Sequence, residues 1–330
     1  MGGTSKAIAV IGNVQADLVL RPVAALPPPG EERFVDQVSF RPGGSGGVTG
    51  MVLAAAGARV RLFGTLGNDA IGSVVRSILA ETGVETSDIR ATDLPTSITV
   101  SLEAPERDRA FLTSRGHMDS FSKDDLPDEA LAAPITLLTG FFTTPALQAD
   151  VPAIAARAHD NGSTVLLDPG SDQFGWSDPV RDSLFSILNE CDCFLPNEAE
   201  LLALTGARDV IDAVARLRRR FSGALVVKLG TKGCLVSANA GSPSVDILPV
   251  PVEAADTTGA GDSFNAGFAL GLSHGLDWVN SARIATSLAS EILRRPASRR
   301  YLTTGDLEKL DTWTELITDT AGETAKMTSM

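Results

Sequence analysis

Residues 256–268 read Asp256-Thr257-Thr258-Gly259-Ala260-Gly261-Asp262-Ser263-Phe264-Asn265-Ala266-Gly267-Phe268. Within this run, Gly259, Ala260 and Gly261 are small enough to form a tight turn that exposes its backbone N–H groups. The residues that follow, 263–272, are small and apolar at helical spacing. We therefore expect a turn that opens into a helix N-terminus, where free N–H groups and the positive end of the helix dipole suit a phosphate or a developing anion.

Asp262 stands at the mouth of this turn. A carboxylate there could take a proton from a hydroxyl group while the turn stabilises the group that the hydroxyl attacks. The structural alternative is that the turn does nothing but begin a helix, with Asp262 as its N-cap. A short glycine motif alone does not separate these two interpretations.

The second half of the chain, from residue 135 onward, alternates two kinds of apolar pattern. The runs typical of strands are residues 135–138, 165–168, 193–196 and 225–229, and those typical of helices are 151–161, 180–190, 198–205 and 210–220. This alternation predicts an α/β fold: a doubly wound, mostly parallel sheet with helices on both faces. Such sheets bind ligands beyond the carboxyl ends of their strands, where Asp168 and Asn197 fall.

The first part of the chain interrupts that alternation. Residues 7–11 are typical of a buried first strand, but extended pieces follow within about residues 13–41, including a strand at 34–40, and again within about 96–115. Hairpins outside a strand–helix alternation predict a small β-sheet that protrudes from the main one. We expect one α/β domain over residues 1–330, with a frayed tail at 311–330.

Charge and composition exclude several classes of partner. The formal net charge of −13 and the pI near 4.7 argue against nucleic acid and anionic membranes. No apolar run is long enough to cross a membrane, and the N-terminus lacks the features of a signal peptide. The three cysteines, Cys191, Cys193 and Cys234, are an odd number, which fits a reducing compartment. We therefore expect a cytoplasmic protein that binds neither nucleic acid nor membranes.

The run Asn197-Glu198-Ala199-Glu200 offers oxygen ligands at a strand end. Mg²⁺ prefers oxygen ligands and keeps several waters, so one amide and one carboxylate could hold it indirectly beside phosphates. The alternative is structural, because Asn197 followed by acidic residues is also a common way to begin a helix.

Residues 226–233, Val-Val-Lys-Leu-Gly-Thr-Lys-Gly, are typical of a buried strand that ends in a glycine turn. Lys228 lies within the strand, where an unpaired charge is costly, so it requires a phosphate or a carboxylate as partner. The sequence has no Gly-x-x-x-x-Gly-Lys-Ser/Thr motif, which excludes a P-loop kinase.

Taken together, these motifs resemble those of the pfkB-type carbohydrate kinases, the ribokinase-like family, over about residues 7–304. Residues 256–268 resemble the C-terminal signature of that family. The resemblance implies that Asp262 is the catalytic base and that Gly259, Ala260 and Gly261 form the anion hole for the transferred phosphoryl group. It also implies that the small sheet is a lid over the substrate.

The resemblance assigns further residues to the site. It implies ATP and Mg²⁺ as cofactors, with a metal motif at Asn197 and Glu200, where Asn197 also lies near the nucleotide. The expected nucleotide-binding residues are Lys228, Gly230, Thr231 and Gly233, and the expected substrate-binding residues are Asp17, Gly43, Gly44, Val48 and Asp262. Val48 departs from the family, which usually has an asparagine that binds a sugar hydroxyl at this position.

The function implied is an ATP-dependent kinase of a sugar or a sugar-like alcohol, a small-molecule substrate. Two alternatives stay open: a nucleoside kinase of the same fold, and a non-catalytic regulator that binds a sugar or a nucleotide. By analogy with the family, a homodimer through the lid is a further expectation.

Overall fold

The computed structural model of the protein describes residues 6–104, 107–170, 175–252 and 257–295. Asp256 and the predicted tail at 311–330 lie outside these residues. The strands are β1 Ile8–Gly12, β2 Gln15–Arg21, β3 Gln37–Gly43, β4 Val60–Gly67, β5 Ile89–Thr92, β6 Ile98–Ala104, β7 Arg107–Ser114, β8 Ile135–Thr139, β9 Thr164–Leu167, β10 Cys193–Phe194, β11 Ala224–Lys228, β12 Cys234–Ser237 and β13 Val245–Ile247. The α-helices are α1 Ser45–Ala55, α2 Ala70–Glu81, α3 Pro145–Gln148, α4 Val151–Asp160, α5 Asp178–Leu188, α6 Glu198–Thr205, α7 Val210–Leu217, α8 Ala260–Ser273 and α9 Trp278–Arg294.

The main sheet has the strand order β13-β12-β11-β10-β9-β8-β1-β4-β5. All its pairs from β10–β11 to β4–β5 are parallel, and only β11–β12 and β12–β13 are antiparallel. The first strand, β1, lies between β8 and β4, so the chain winds outward from it in both directions. The carboxyl ends of β1, β9 and β11 therefore meet at one edge of the sheet, where a ligand would bind.

Helices cover both faces of this sheet, and β1 is therefore buried on both sides. Ile8 and Val10 point into a core formed with α1, α2, α8 and α9, whereas Ala9 and Ile11 point into a second core formed with α4 to α7. Alternate residues of one strand thus contribute to two cores, as expected for a central parallel strand. The predicted doubly wound fold is confirmed. Within the described residues, no helix combines the length and the apolar character that a membrane span needs.

A second, four-stranded sheet has the order β3-β2-β6-β7, and we call it the small sheet. Strands β2 and β3 form one antiparallel pair and β6 and β7 another, and a parallel β2–β6 pairing joins the two. β2 follows β1 after two residues, and β3 ends one residue before the N-terminus of α1. The small sheet is therefore anchored beside the carboxyl end of β1.

Several predicted boundaries were wrong. The strand expected at 34–40 is instead β3 at 37–43, because its bounds follow from pairing with β2, in which Gly43 lies opposite Gln15. The strand expected at 193–196 is only two residues long, Cys193–Phe194. Strands β5, β12 and β13 were not predicted, since each is short and lies at or near an edge of the sheet. The three cysteines are buried and free.

Candidate active site

The glycine turn, residues 259–261, begins helix α8. Gly259 is the N-cap residue, with φ 75° and ψ 5°, a left-handed conformation that favours glycine. Among the described residues no side chain caps the helix, and Asp262 lies within its first turn, so the interpretation of Asp262 as the N-cap was wrong. The N–H of Ala260 donates to Thr257 O, whereas the N–H groups of Gly259 and Gly261 have no acceptor among the described residues and are available to an anion.

The carboxyl group of Asp262 is tuned by its surroundings. Burial raises the pKa of Asp262 to about 7, and the negative charges of Asp168 and Asp17 add to the rise. The positive charge of Lys228 and a hydrogen bond donated by the Ser45 hydroxyl act in the opposite direction. A carboxyl group whose pKa lies near neutrality is suited to accept a proton during a reaction.

Lys228, at the end of β11, meets a carboxylate. Its Nζ donates to Asp168 Oδ1 at 2.9 Å and to Asn265 Oδ1 at 3.3 Å. Burial opposes its charge, but Asp168, Glu200 and Asp262 outweigh this effect and raise the pKa of Lys228. The sequence left phosphate and carboxylate open, and the structure shows the carboxylate, while contact with a nucleotide stays a prediction.

The same ammonium group lies beneath the glycine turn. A Cβ atom placed on Gly261 would be 3.8 Å from Lys228 Nζ. Asn265, one helical turn after Asp262, is fully buried, and its Nδ2 has no hydrogen-bond partner among the described residues. A fixed positive charge and an unused donor beside the turn fit the binding of a phosphate group there.

Asn197 and Glu200 form a capping box at the start of α6. Asn197 Oδ1 accepts from the N–H of Glu200, and Glu200 Oε2 accepts from the N–H of Asn197, both at 2.8 Å. The structural interpretation of this motif is therefore realised. No group of three His, Cys, Asp or Glu side chains in the described part of the chain could hold a metal by itself. The oxygen ligands of Asn197 and Glu200 suit only a Mg²⁺ ion that keeps several of its waters and is also bound by phosphates.

The predicted nucleotide loop follows β11. Residues Gly230–Lys232 form a short 3-10 turn, in which Gly230 and Thr231 are exposed. Gly233, which ends the turn, is buried. Apart from its chain neighbours, no described residue has a heavy atom within 4 Å of the position that a Cβ on Gly230 would take. The loop is thus open to a ligand at the same sheet edge as Lys228.

Asp17 lies on β2 and is held by polar side chains. Its Oδ1 accepts from Gln15 Nε2 at 2.9 Å, and its Oδ2 lies 3.9 Å from Arg41 Nε. Gln15 Nε2 also donates to the Thr99 hydroxyl at 2.7 Å. Burial raises the pKa of Asp17, although the Gln15 hydrogen bond and Arg41 counteract it. Gly43, which packs against Asp17, is two residues before Ser45, which donates to Asp262, so the start of α1 lies beside both carboxyl groups.

The glycine pair before α1 packs against this carboxylate. A Cβ on Gly43 would lie 2.1 Å from Asp17 Oδ1, so only glycine lets the two approach. Gly44 is the N-cap residue of α1. Val48, one turn further, is 8% exposed, and its Cγ1 would lie 3.3 Å from a Cβ on Gly259. Val48 therefore borders the glycine turn, and its contact with a substrate stays a prediction.

Some residues of the site were not assigned a role from the sequence: Gln15, Ser45, Thr99, Arg109, Asp168 and Asn265. Asp168 was noted only for its position at a strand end, the one available signal. Arg109, on β7, donates from Nη1 to the Thr258 hydroxyl and from Nη2 to the Thr257 hydroxyl at 3.2 Å. It is 149 residues from Thr258 in sequence, so no local pattern could indicate this contact.

Comparison with known proteins shows the family of the chain. The family model described as pfkB family carbohydrate kinase matches residues 5–304. The ribokinase of Bacillus subtilis (strain 168) is 29% identical over 292 residues, which cover 86% of this chain and 91% of the relative. The fructokinase of Klebsiella pneumoniae is 30% identical over 288 residues, 85% of this chain and 89% of the relative.

A solved structure shows the same fold. The structure of Arabidopsis thaliana ribokinase complexed with ribose and ATP superposes with a TM-score of 0.78 at 25% identity, covering 93% of this chain and 99% of that one. The ribokinase-like fold and the family predicted from the sequence are confirmed. The chain belongs to the pfkB family of carbohydrate kinases, which are phosphotransferases with an alcohol group as acceptor.

Proposed function

We propose that this protein transfers the γ-phosphoryl group of ATP to a hydroxyl group of a sugar or a sugar-like alcohol. The observation that carries the proposal is the position of Asp262. Its carboxyl group, with a pKa of about 7, lies in the first turn of α8 beside the N–H groups of the glycine turn. A proton acceptor and an anion-binding turn are the two elements that transfer to a hydroxyl requires.

In the proposed reaction, the ionised Asp262 accepts the proton of the substrate hydroxyl. The oxygen then forms a bond to the γ-phosphorus, and the bond between that phosphorus and the oxygen of the leaving ADP breaks. The N–H groups of residues 259–261 and the charge of Lys228 stabilise the negative charge on the transferred group. Lys228 acts from beneath the turn, held by Asp168 and Asn265.

The sugar lies between the small sheet and the glycine turn in this proposal. Asp17 accepts hydrogen bonds from its hydroxyl groups, and Gln15 and Arg41 hold the carboxylate in place. Val48 bounds the site with an apolar surface beside Gly259. Closure of the small sheet excludes water, which limits wasteful hydrolysis of ATP.

ATP lies along residues 230–233, where the open backbone at Gly230 gives room for it. Asn197 and Glu200 would hold Mg²⁺, since the capping box fixes both side chains at the sheet edge beside Lys228. Bound there, Mg²⁺ supplies positive charge that offsets the charge of the phosphate oxygens.

A coupled assay of ADP release over pentoses, hexoses and nucleosides tests the proposal. We expect ADP release that depends on a sugar or a sugar-like alcohol, and release at least about 100-fold slower from Asp262→Asn protein. Release that depends only on nucleosides would favour the nucleoside kinase. Nucleotide binding without any acceptor-dependent ADP release would favour the regulator.

We further propose that two copies associate through the outer face of the small sheet. This face is apolar, and Val38, Phe40 and Leu112 are 59%, 39% and 60% exposed. Phe40 lies opposite Leu18, and Leu112 opposite Val100, so the apolar side chains form one patch. Light scattering should give the mass of a dimer for the wild type and of a monomer for Leu112→Glu, and a wild-type monomer would contradict the proposal.

A further inference from the structure

The small sheet touches the glycine turn through the Arg109 guanidinium. Nη1 donates to the Thr258 hydroxyl and Nη2 to the Thr257 hydroxyl, the two residues that directly precede Gly259. We propose that Arg109 is a positioning residue, which sets the glycine turn for phosphoryl transfer only while the small sheet covers the site. This inference rests on the proposed kinase function and adds a residue to it.

Arg109 belongs to the face of the small sheet that looks toward the site. The hydroxyl groups of Thr99 and Thr113 lie 2.9 Å apart across β6 and β7, and Thr99 is also bonded to Gln15, the partner of Asp17. Side chains alternate along a strand, so Arg109 lies on the same face as Thr113. The guanidinium therefore extends from the substrate face of the sheet.

The residues described on the N-terminal side of the glycine turn are Thr257 and Thr258. Gly259 carries no side chain, and its described hydrogen bonds are those that its carbonyl accepts from the N–H and hydroxyl groups of Ser263 within α8. The N–H of Ala260 donates to Thr257 O at 3.2 Å, so the position of Thr257 is transmitted directly into the turn. A contact that fixes Thr257 and Thr258 therefore also fixes the direction of the N–H groups of the turn.

A guanidinium suits this task because it is planar and presents several donors in a rigid fork. One group that binds two adjacent hydroxyls fixes their relative position as well as their distance from β7. Movement of the small sheet away from the main sheet would break both bonds at once. The turn would then be correctly placed when the sugar is enclosed and loose when the site is open to water.

The alternative is that Arg109 only fastens the small sheet, without any effect on the turn. A fastening role predicts a weaker affinity for the sugar, seen as a higher KM, with kcat retained. A positioning role predicts a lower kcat with little change in the KM for MgATP. Misplacement of a reacting group by about 1 Å can cost about 100-fold in rate.

The test is a double-mutant cycle on kcat, with sugar and MgATP saturating. We expect Arg109→Ala and the variant T257V/T258V, which keeps the shape of both threonines, each to lower kcat by about 10- to 100-fold. Adding Arg109→Ala to T257V/T258V should change kcat by less than about twofold, because both remove the same interaction. Arg109→Lys should restore part of the activity, since an ammonium group can reach one hydroxyl.

Arg115→Ala is the matched control. Arg115 directly follows β7 and forms an ion pair with Asp119 at 3.1 Å, so its loss should leave kcat unchanged. Additive effects in the cycle, or a wild-type kcat in folded Arg109→Ala protein, would overturn the inference while the kinase function stands. A wild type that phosphorylates no acceptor at all would overturn the proposed function and this inference with it.

Discussion

The kcat/KM for the sugar should rise with pH through about 7, the pKa of Asp262 in the free enzyme. Asp262 accepts a proton only when it is ionised, and kcat/KM reports the ionisation of the free enzyme. A group with this pKa is about one-tenth ionised at pH 6 and about nine-tenths at pH 8, so the rate constant should rise roughly tenfold between them. An aspartate at its ordinary pKa of 3.8 would give a flat profile over this range.

Asp168→Asn is the perturbation that tests the cause. After burial, the negative charge of Asp168 contributes most to the raised pKa of Asp262, and Asp168 also pairs with Lys228 at 2.9 Å. Its neutralisation removes a repulsive charge and leaves the charge of Lys228 uncompensated. Both changes favour ionised Asp262, so the acid limb of the profile should move to lower pH.

The assay is the sugar-dependent release of ADP from pH 5.5 to 8.5 at constant ionic strength, with sugar and MgATP both well below their KM so that the rate reports the free enzyme. Any titration of MgATP itself is the same for the two proteins, so the difference between their pH profiles reports the ionisation of groups on the enzyme. Thermal melts at each pH confirm that both stay folded. A flat wild-type profile, or a shift of Asp168→Asn to higher pH, would refute the reasoning.

Three further predictions concern metal, substrate and stability. Glu200→Gln keeps an acceptor for the N–H of Asn197 but loses the charge, so the Mg²⁺ concentration needed for half-maximal rate should rise. Glu198→Gln, at a half-buried residue that pairs with Lys232, should be mild, and equal effects of the two in a Mg²⁺ titration would count against the metal role. Val48→Asn should raise kcat/KM for ribose-like sugars relative to the best natural substrate, and an unchanged ranking over a sugar panel would contradict this. Burial lowers the pKa of His117, so the unfolded chain binds more protons than the native state at low pH, and the stability of the fold falls as pH falls. Between pH 7.5 and 5.5 the Tm of the wild type should therefore fall further than the Tm of His117→Gln, and equal falls would contradict the assignment.

The geometry of His117 supports this last prediction. The ring is 1% exposed, its Nδ1 accepts from the N–H of Ser97 at 3.1 Å, and its Nε2 lies 3.0 Å from Val14 O. These partners require the neutral ring with its proton on Nε2. A second proton would place two donors, Nδ1–H and the Ser97 N–H, against each other.

The parts of the fold that follow from local pattern were predictable. The alternation after residue 135 is carried by runs of apolar residues, and helix α6, residues 198–205, was predicted to the residue. Strands β12 and β13 were missed because strands of four and three residues carry too little periodicity. Strand β3 was misplaced by three residues because its register with β2 determines its bounds.

The site was predictable where one short stretch carries its chemistry. The turn at residues 259–261 and Asp262 occur together in sequence, so their proximity needed no tertiary information. The partner of Lys228 could not be chosen, because Asp168 is 60 residues away and only the adjacency of β9, β10 and β11 brings the two together. The contact of Arg109 with the turn depends on the placement of a separate sheet, which no periodicity reports.

The turnover of Asp262→Asn protein tests the central claim most directly. Asparagine keeps the size of the side chain but cannot accept the proton, so kcat on the best acceptor should fall by about 10²- to 10⁴-fold. MgATP affinity, measured by calorimetry, and Tm should stay close to those of the wild type. A folded Asp262→Asn protein with a kcat near that of the wild type would remove Asp262 from the mechanism and contradict the account.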